Sequence, residues 1–270
     1  MLADSDGIRI AYEVTGSGAP VVLLHGFPDS GSVWQAQVGP LAQAGFQVVV
    51  PDLRGYGASD KPSEVGAYSL LAVAGDVLAV LDDLGVERCH VAGHDWGAAL
   101  AWVMGCLLPD RVDHLVALSV GHPAAFRAVG YEQQMRSWYM LLFQFPGVAE
   151  RWLADDGWAN LRNWAGHPDT DEVVARLEGD GSLTPALNWY RANVPPESWI
   201  APPLELPLVQ APTLGVWSTG DFALTEQQMV GSGEFVSGPW RYERLEGVGH
   251  WMQREAPDRV NQLLVEFLTR

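Results

Sequence analysis

Gly93-His94-Asp95-Trp96-Gly97 constrains the architecture of this chain more than any other segment. Before it, Glu87-Arg88-Cys89-His90-Val91-Ala92 reads as the end of a short buried strand. After it, Ala98 to Met104 reads as a helix rich in small and apolar residues. A Gly-x-nucleophile-x-Gly turn between strand and helix is an elbow that presents its central side chain at the top of a sheet. Glycines without a Cβ let so sharp a turn pack, and the helix N-terminus behind it favours an ionised carboxylate. Asp95 is therefore read as an anion able to attack carbon and form an ester. A serine esterase is disfavoured. Taken alone, the five residues also fit a polar turn with no chemistry.

Two later segments add to the elbow. Thr219-Gly220-Asp221-Phe222 follows a strand candidate, Pro212 to Ser218, and Gly247-Val248-Gly249-His250-Trp251 follows another, Arg241 to Leu245. A carboxylate and then a histidine, each just past a late strand, match the chain order nucleophile, acid, base. The separation of 29 positions from Asp221 to His250 leaves room for one helix and one strand. His250 is thus the expected base and Asp221 its partner.

The rest of the first half alternates strands and helices. Ile8, Ile10, Tyr12 and Val14 fall at every second position of Gly7–Val14, alternating with the residues between them on two faces, as in an antiparallel edge strand. Val21–Leu24 and Phe46–Val50 are short, β-branched and apolar, as parallel strands buried on both faces are. Trp34–Ala44 is predicted helical and ended by Gly45. Tyr68–Leu84 is predicted as a longer helix, with Leu71, Val73, Ala74, Val77, Leu78, Val80, Leu81 and Leu84 on its apolar face and Gly85 as its stop. Val112–Val120 is another strand candidate. This is an α/β pattern with a mostly parallel sheet.

That rhythm breaks after Gly121. From His122 to about Leu208 helical segments take over, carrying Trp138, Trp152, Trp158, Trp164, Trp189 and Trp199, before Pro195-Pro196 and Pro202-Pro203 punctuate the return to strand. The division expected is a core of 1–121 with 209–270 and a helical cap of 122–208, inserted after the sixth strand. The cap would cover the C-terminal edge of the sheet, where ligands bind in open α/β folds, and its apolar surface would exclude water from the nucleophile.

Composition agrees with an enzyme in solution. The 270 residues are 48% hydrophobic, enough for a sizeable core. No run approaches the roughly 18 apolar residues of a membrane span. Met1 to Asp6 lacks a basic region leading into an apolar stretch, so a cytoplasmic protein is expected. The net charge of −17 weighs against nucleic acid and anionic membranes as partners. Cys89 and Cys106, both in apolar surroundings, read as buried thiols in a reducing compartment, with a disulfide between them left open. No histidine–carboxylate cluster has metal spacing, so neither metal nor cofactor is expected. His25 and His94 read as supporting residues, and Asp52 and Asp60 as loop-fixing ones.

With these segments in place, the chain resembles the epoxide hydrolase family of the α/β-hydrolase fold, over nearly its whole length. The resemblance rests on His25-Gly26-Phe27-Pro28, Arg54-Gly55-Tyr56-Gly57-Ala58-Ser59, the Asp95 elbow, Gly220-Asp221-Phe222 and Gly249-His250-Trp251. It also covers Tyr139 to Glu150 and Leu187-Asn188-Trp189-Tyr190-Arg191. The last two segments are the specific part, because the core motifs recur across many α/β-hydrolases. The amino-terminal strand is short relative to the family. The resemblance implies that Tyr139 and Tyr190 hold an epoxide oxygen, that Pro28 is cis, and that the N–H groups of Phe27 and Trp96 form an oxyanion hole. His25, Pro28, Trp138, Phe143, Trp189 and Trp251 would support the pocket. The implied partners are a small hydrophobic epoxide and water, in a monomer or homodimer.

Rival readings use the same residues. A haloalkane dehalogenase also has an aspartate followed by tryptophan, and Trp96 would donate its indole N–H to halide. Phe27 in place of a polar halide partner, and the two tyrosines, argue against it. A fluoroacetate-type dehalogenase would place an arginine where Trp96 stands. A ligand-binding receptor on a hydrolase scaffold is a third possibility, since fold does not fix function, but Asp95, Asp221 and His250 together argue against lost catalysis.

Overall fold

The computed structural model describes residues 1–202 and 205–269; Pro203, in the second proline pair, lies outside the described residues. Eight strands form one sheet: β1 (Leu2–Ser5), β2 (Ile8–Gly16), β3 (Ala19–Leu24), β4 (Phe46–Pro51), β5 (Cys89–His94), β6 (Val112–Leu118), β7 (Thr213–Ser218) and β8 (Trp240–Leu245). Their spatial order is β1-β2-β4-β3-β5-β6-β7-β8. β1–β2 and β2–β4 pair antiparallel, and every later pair is parallel. Parallel strands require covered faces, and β5 and β7 are buried along their whole lengths.

The predicted edge strand is one place in from the edge, because β1 pairs with it across Ser5↔Ile8. The turn is Asp6-Gly7, both at positive φ, which is the two-residue hairpin connection that Asp-Gly favours. Helix α1 (Gln35–Gln43) follows β3 through a turn of 3-10 helix. Helix α2 (Leu70–Asp83) starts two residues later than the apolar pattern predicts. The Ser69 hydroxyl accepts from the N–H of Ala72 and sets that start. Leu71, expected on the buried face, is 67% exposed, since its place on the helix falls to one side of the stripe that Val73, Val77, Val80 and Leu81 bury. Helix α3 (Trp96–Leu107) is buried from Trp96 to Cys106. Its small residues let it approach the sheet closely: a Cβ at Gly97 would strike the backbone of Leu24 and His25.

Between β6 and β7 the described residues form six α-helices, α4 (Pro123–Ala128), α5 (Tyr131–Arg136), α6 (Trp138–Leu142), α7 (Val148–Ala165, interrupted at Asp155–Trp158), α8 (Thr170–Asp180) and α9 (Leu183–Asn193), and a turn of 3-10 helix at Pro196–Trp199. They are tied to the sheet's loops by polar bonds. Trp189 Nε1 donates to the carbonyl of Arg54, Arg176 to that of Pro28, and Arg136 to those of Asp221 and Leu224. The chain closes with α10 (Glu226–Val230) before β8, then α11 (Met252–Glu255) and α12 (Pro257–Leu268). Helix α12 packs on α1, and α2 on α3. Cys89 and Cys106 are buried free thiols. No helix among the described residues is long and apolar enough to cross a membrane.

Candidate active site

Phe27, Asp95, Ser119, Asp221 and His250 all follow the C-terminal ends of strands: β3, β5, β6, β7 and β8. That end of a parallel sheet is where ligands bind. Asp95 occupies the elbow with φ +53° and ψ −120°, a strained conformation that surrounding packing must enforce. A Cβ at Gly93 would run into the Gly97 backbone, and one at Gly26 into the Asp95 side chain itself. The glycines are therefore needed for close approach.

The carboxylate of Asp95 is buried. Its Oδ1 accepts from the N–H of Phe27 at 2.8 Å, and the N–H of Trp96 also favours its charged form. The Phe27–Pro28 peptide is cis. Burial nevertheless wins, and the Asp95 pKa is pushed up to about 6, against His250 and the two backbone N–H groups. The helix terminus alone would have pointed to a readily ionised carboxylate. The structure adds a desolvation cost that the terminus does not cancel.

His250 Nε2 lies 3.8 Å from Asp95 Oδ2. Its Nδ1 lies 2.9 Å from Asp221 Oδ2. Burial pulls the His250 pKa down, but the charge and hydrogen bond of Asp221, with the charge of Asp95, carry it above the ordinary value. Asp221 is held below the ordinary carboxylate range: burial opposes this, but His250, the Ser119 hydroxyl and the N–H of Leu224 outweigh it. Its Oδ1 accepts from the N–H groups of Ala223 and Leu224, both at 2.9 Å.

Ser119 was not singled out by sequence, because the strand candidate ran through it to Val120. The strand stops at Leu118, and Ser119 turns at φ +73°. Its hydroxyl donates to Asp221 Oδ2 at 2.6 Å and sits 3.0 Å from His250 Nδ1. A strained, buried serine thus touches both members of the pair.

Asp29 was also missed. It is buried beside Pro28, with its Oδ2 accepting from Trp251 Nε1 at 2.9 Å and its Oδ1 3.1 Å from His167 Nε2. Burial raises the pKa of Asp29, but His167 and Arg176 outweigh it and bring the value down to about 2. A signal lay in the sequence, an acid directly after His25-Gly26-Phe27-Pro28, but its partners come from 138 and 222 residues away.

Tyr139 on α6 and Tyr190 on α9 face Asp95 from above. Their ring centroids are 5.9 Å apart. Trp164 at 4.7 Å and Phe143 at 5.5 Å hold the Tyr139 ring, while Trp96 and Phe143, both at 5.0 Å, hold that of Tyr190. Burial first, and the charge of Asp95 second, raise both phenol pKa values well above the ordinary one. Both hydroxyls therefore keep their protons and are available as donors.

The other supporting residues divide. Pro28 and Trp251 line the cavity at Asp95. Phe143, Trp189 and His25 are fully buried behind its wall. His25 Nε2 accepts from the N–H of Leu53 at 2.9 Å, and burial lowers its pKa. His94 Nε2 lies 2.9 Å from the His250 carbonyl, and burial, then His250, brings its pKa down to about 3. Asp52 accepts from the N–H groups of Gly31 and Ala58, and Asp60 pairs with Arg9 at 2.8 Å. Trp138 is a correction. It is 45% exposed and packs edge-on against Trp152, because α6 turns Tyr139 inward and Trp138 outward.

The fold and this site define a class. A sequence model of the α/β-hydrolase fold family matches residues 19–257. Epoxide hydrolase A of Mycobacterium tuberculosis (strain ATCC 25618 / H37Rv) is 35% identical, with 99% of this chain and 96% of that protein covered. Epoxide hydrolase 3 of Xenopus tropicalis is 31% identical, covering 97% of this chain and 75% of its own. The crystal structure of a Bacillus megaterium epoxide hydrolase in complex with an inhibitor is similar throughout, with a TM-score of 0.90, 28% identity and all of both chains covered. The chain belongs to the epoxide hydrolase family of α/β-hydrolases.

Proposed function

We propose that the protein opens an epoxide to a vicinal diol through an alkyl ester on Asp95. The observation that carries the reading is the convergence of two protonated phenols, Tyr139 and Tyr190, over a buried carboxylate whose neighbour is a His–Asp pair. In the first half, an Asp95 oxygen bonds to an epoxide carbon as the C–O bond breaks in line. The departing oxygen takes a proton from a tyrosine while the other donates a hydrogen bond. In the second half, water bonds to the ester carbonyl carbon of Asp95 and gives its proton to His250. The oxyanion is held by the N–H groups of Phe27 and Trp96. Collapse expels the diol oxygen, which takes the second proton of the water as the Asp95 carboxylate is restored, and the proton on His250 returns to the tyrosinate.

The charges also order the two halves. The anionic charge of Asp95 is one of the causes that raise the His250 pKa. Ester formation removes that charge, so the His250 pKa falls and the imidazole becomes a base when one is first needed. Segment 122–208 serves as the cap that supplies the tyrosines and excludes water. A serine nucleophile would form an ether that activated water does not cleave, so the aspartate fits this substrate class.

A haloalkane dehalogenase would use the same aspartate, and one observation favours it: the indole N–H of Trp96 is buried next to Asp95 with only the Tyr190 hydroxyl facing it, so it would be free to donate to a halide. A halide leaves as a stable anion, however, and has no use for paired phenols. The deciding experiment presents the purified protein with an aryl epoxide and, separately, a chloroalkane. Diol is expected from the first; halide release without any diol would replace this reading with its rival.

A further inference from the structure

Two spaces of very different size meet at Asp95, Tyr139 and Tyr190, which line both. The larger is about 450 Å³, within the range of roughly 300–1,000 Å³ typical of small-molecule sites. Its walls are mostly apolar, including Ala99 and Val103 of α3, Phe126, Met140 and Leu206. It reaches the surface, since the exposed Leu71 and Leu107 also line it. The smaller is about 10 Å³, close to the roughly 10–15 Å³ that one water molecule needs. It is bounded by Trp164, Ala165, Phe222, His250 and Trp251.

The walls of the small chamber brace one another. Trp164 packs on Tyr139 at 4.7 Å and on Phe222 at 5.7 Å, and Phe222 stacks on Trp251 at 6.1 Å. Trp251 in turn donates its Nε1–H to the buried Asp29. Widening this space by even one methyl group would force side chains off their preferred geometry. The chamber adjoins both His250 and Asp95, where the water of the second half-reaction must stand.

We infer that the substrate is a terminal epoxide whose one apolar substituent runs along the 450 Å³ arm, with the small chamber reserved for the hydrolytic water. The inference rests on the epoxide-opening reading above. A trans-1,2-disubstituted epoxide sends its two substituents to opposite sides of the ring. One would fit the large arm, and the other would enter the chamber and displace the water. A hydrogen in that position leaves the water where His250 can take its proton.

The test compares kcat/KM of the purified full chain for styrene oxide and trans-β-methylstyrene oxide, by diol formation. One misplaced methyl should cost on the order of 100-fold. A preference under about tenfold would overturn the substrate class while leaving the reaction intact. Diol from neither would overturn the reaction itself, and the substrate class with it. A second arm uses Val103→Trp, which should narrow the large space. Relative to 1,2-epoxypropane, 1,2-epoxydodecane should lose about tenfold or more. An unchanged ratio in a variant with native circular dichroism would show that the substituent does not lie there.

Discussion

The strand-end loops and the helices above them hold their reactive groups by different physics. Asp95, Asp221 and His250 are set by short polar contacts: 2.8 Å from Phe27 N–H to Asp95, 2.6 Å from Ser119 to Asp221, and 2.9 Å from Asp221 to His250. Two of the backbone positions that aim them, Asp95 and Ser119, are strained. Tyr139 and Tyr190 are instead set by ring packing against Trp164, Phe143, Trp96 and Phe27. Polar contacts give the directionality that proton transfer needs. Aromatic packing supplies the dry surroundings that keep a phenol protonated. The proposed reaction uses them in that division: the loops for making and cleaving the ester, the helices for opening the ring.

The sharpest break of that division is Asp95→Ala. It should abolish covalent labelling by any epoxide, as read by intact-protein mass spectrometry. An adduct in that variant would place the nucleophile elsewhere.

His250→Gln comes next. Ester cleavage should slow by about 10⁴-fold, the upper end for general base loss, while labelling stays fast. An adduct of one substrate mass should therefore accumulate on Asp95. Ready turnover would instead detach His250 from the second half-reaction.

The corresponding change among the helices is Tyr139→Phe with Tyr190→Phe. Labelling should slow by roughly 10³-fold, with each single change costing less because the other hydroxyl still donates. Cleavage of whatever ester forms should be nearly unchanged, and so should the melting temperature, since phenylalanine preserves the packing. Near-normal labelling in the double variant would reduce both tyrosines to wall residues and reopen the dehalogenase reading.

Ser119→Ala should be milder, about tenfold in ester cleavage, as for one hydrogen bond to a charged group. The loss should fall on the second half-reaction alone. An equal effect on labelling would mean that Ser119 maintains the elbow and not the His–Asp pair.

The smallest effect concerns pH. With its pKa pushed up to about 6 by burial, Asp95 is the anion above that value and the neutral acid below it. Single-turnover labelling should be level at higher pH, half-maximal near 6, and fall as pH drops further. A rate that stays level well below that point would mean the carboxylate is better solvated than its burial implies.

Parts of both regions were legible in the chain itself. Asp95, Asp221 and His250 stand in glycine-bearing turns after apolar strands, so short-range chemistry announces them. The hairpin turn is legible at Asp6-Gly7, an Asp-Gly pair of the kind that joins two antiparallel strands. Ser119 was hidden because a serine within an apolar run reads as strand, and only its φ of +73° reveals the turn toward Asp221. Asp29 could be seen as an acid next to Pro28. That it joins Trp251 and His167 depends on residues hundreds of ångströms of extended chain away.

Local patterns, in short-range sterics and hydrophobic periodicity, therefore determined the strand–elbow–helix, the parallel sheet and the order of the reactive groups. Tertiary packing decided which of two adjacent aromatics, Trp138 or Tyr139, faces Asp95, since both suit the same helix. It also decided that burial outweighs the helix terminus at Asp95, and that one side of the site is a long arm and the other a water-sized chamber. Desolvation and cavity shape are sums over neighbours distant in sequence, and no local pattern carries them.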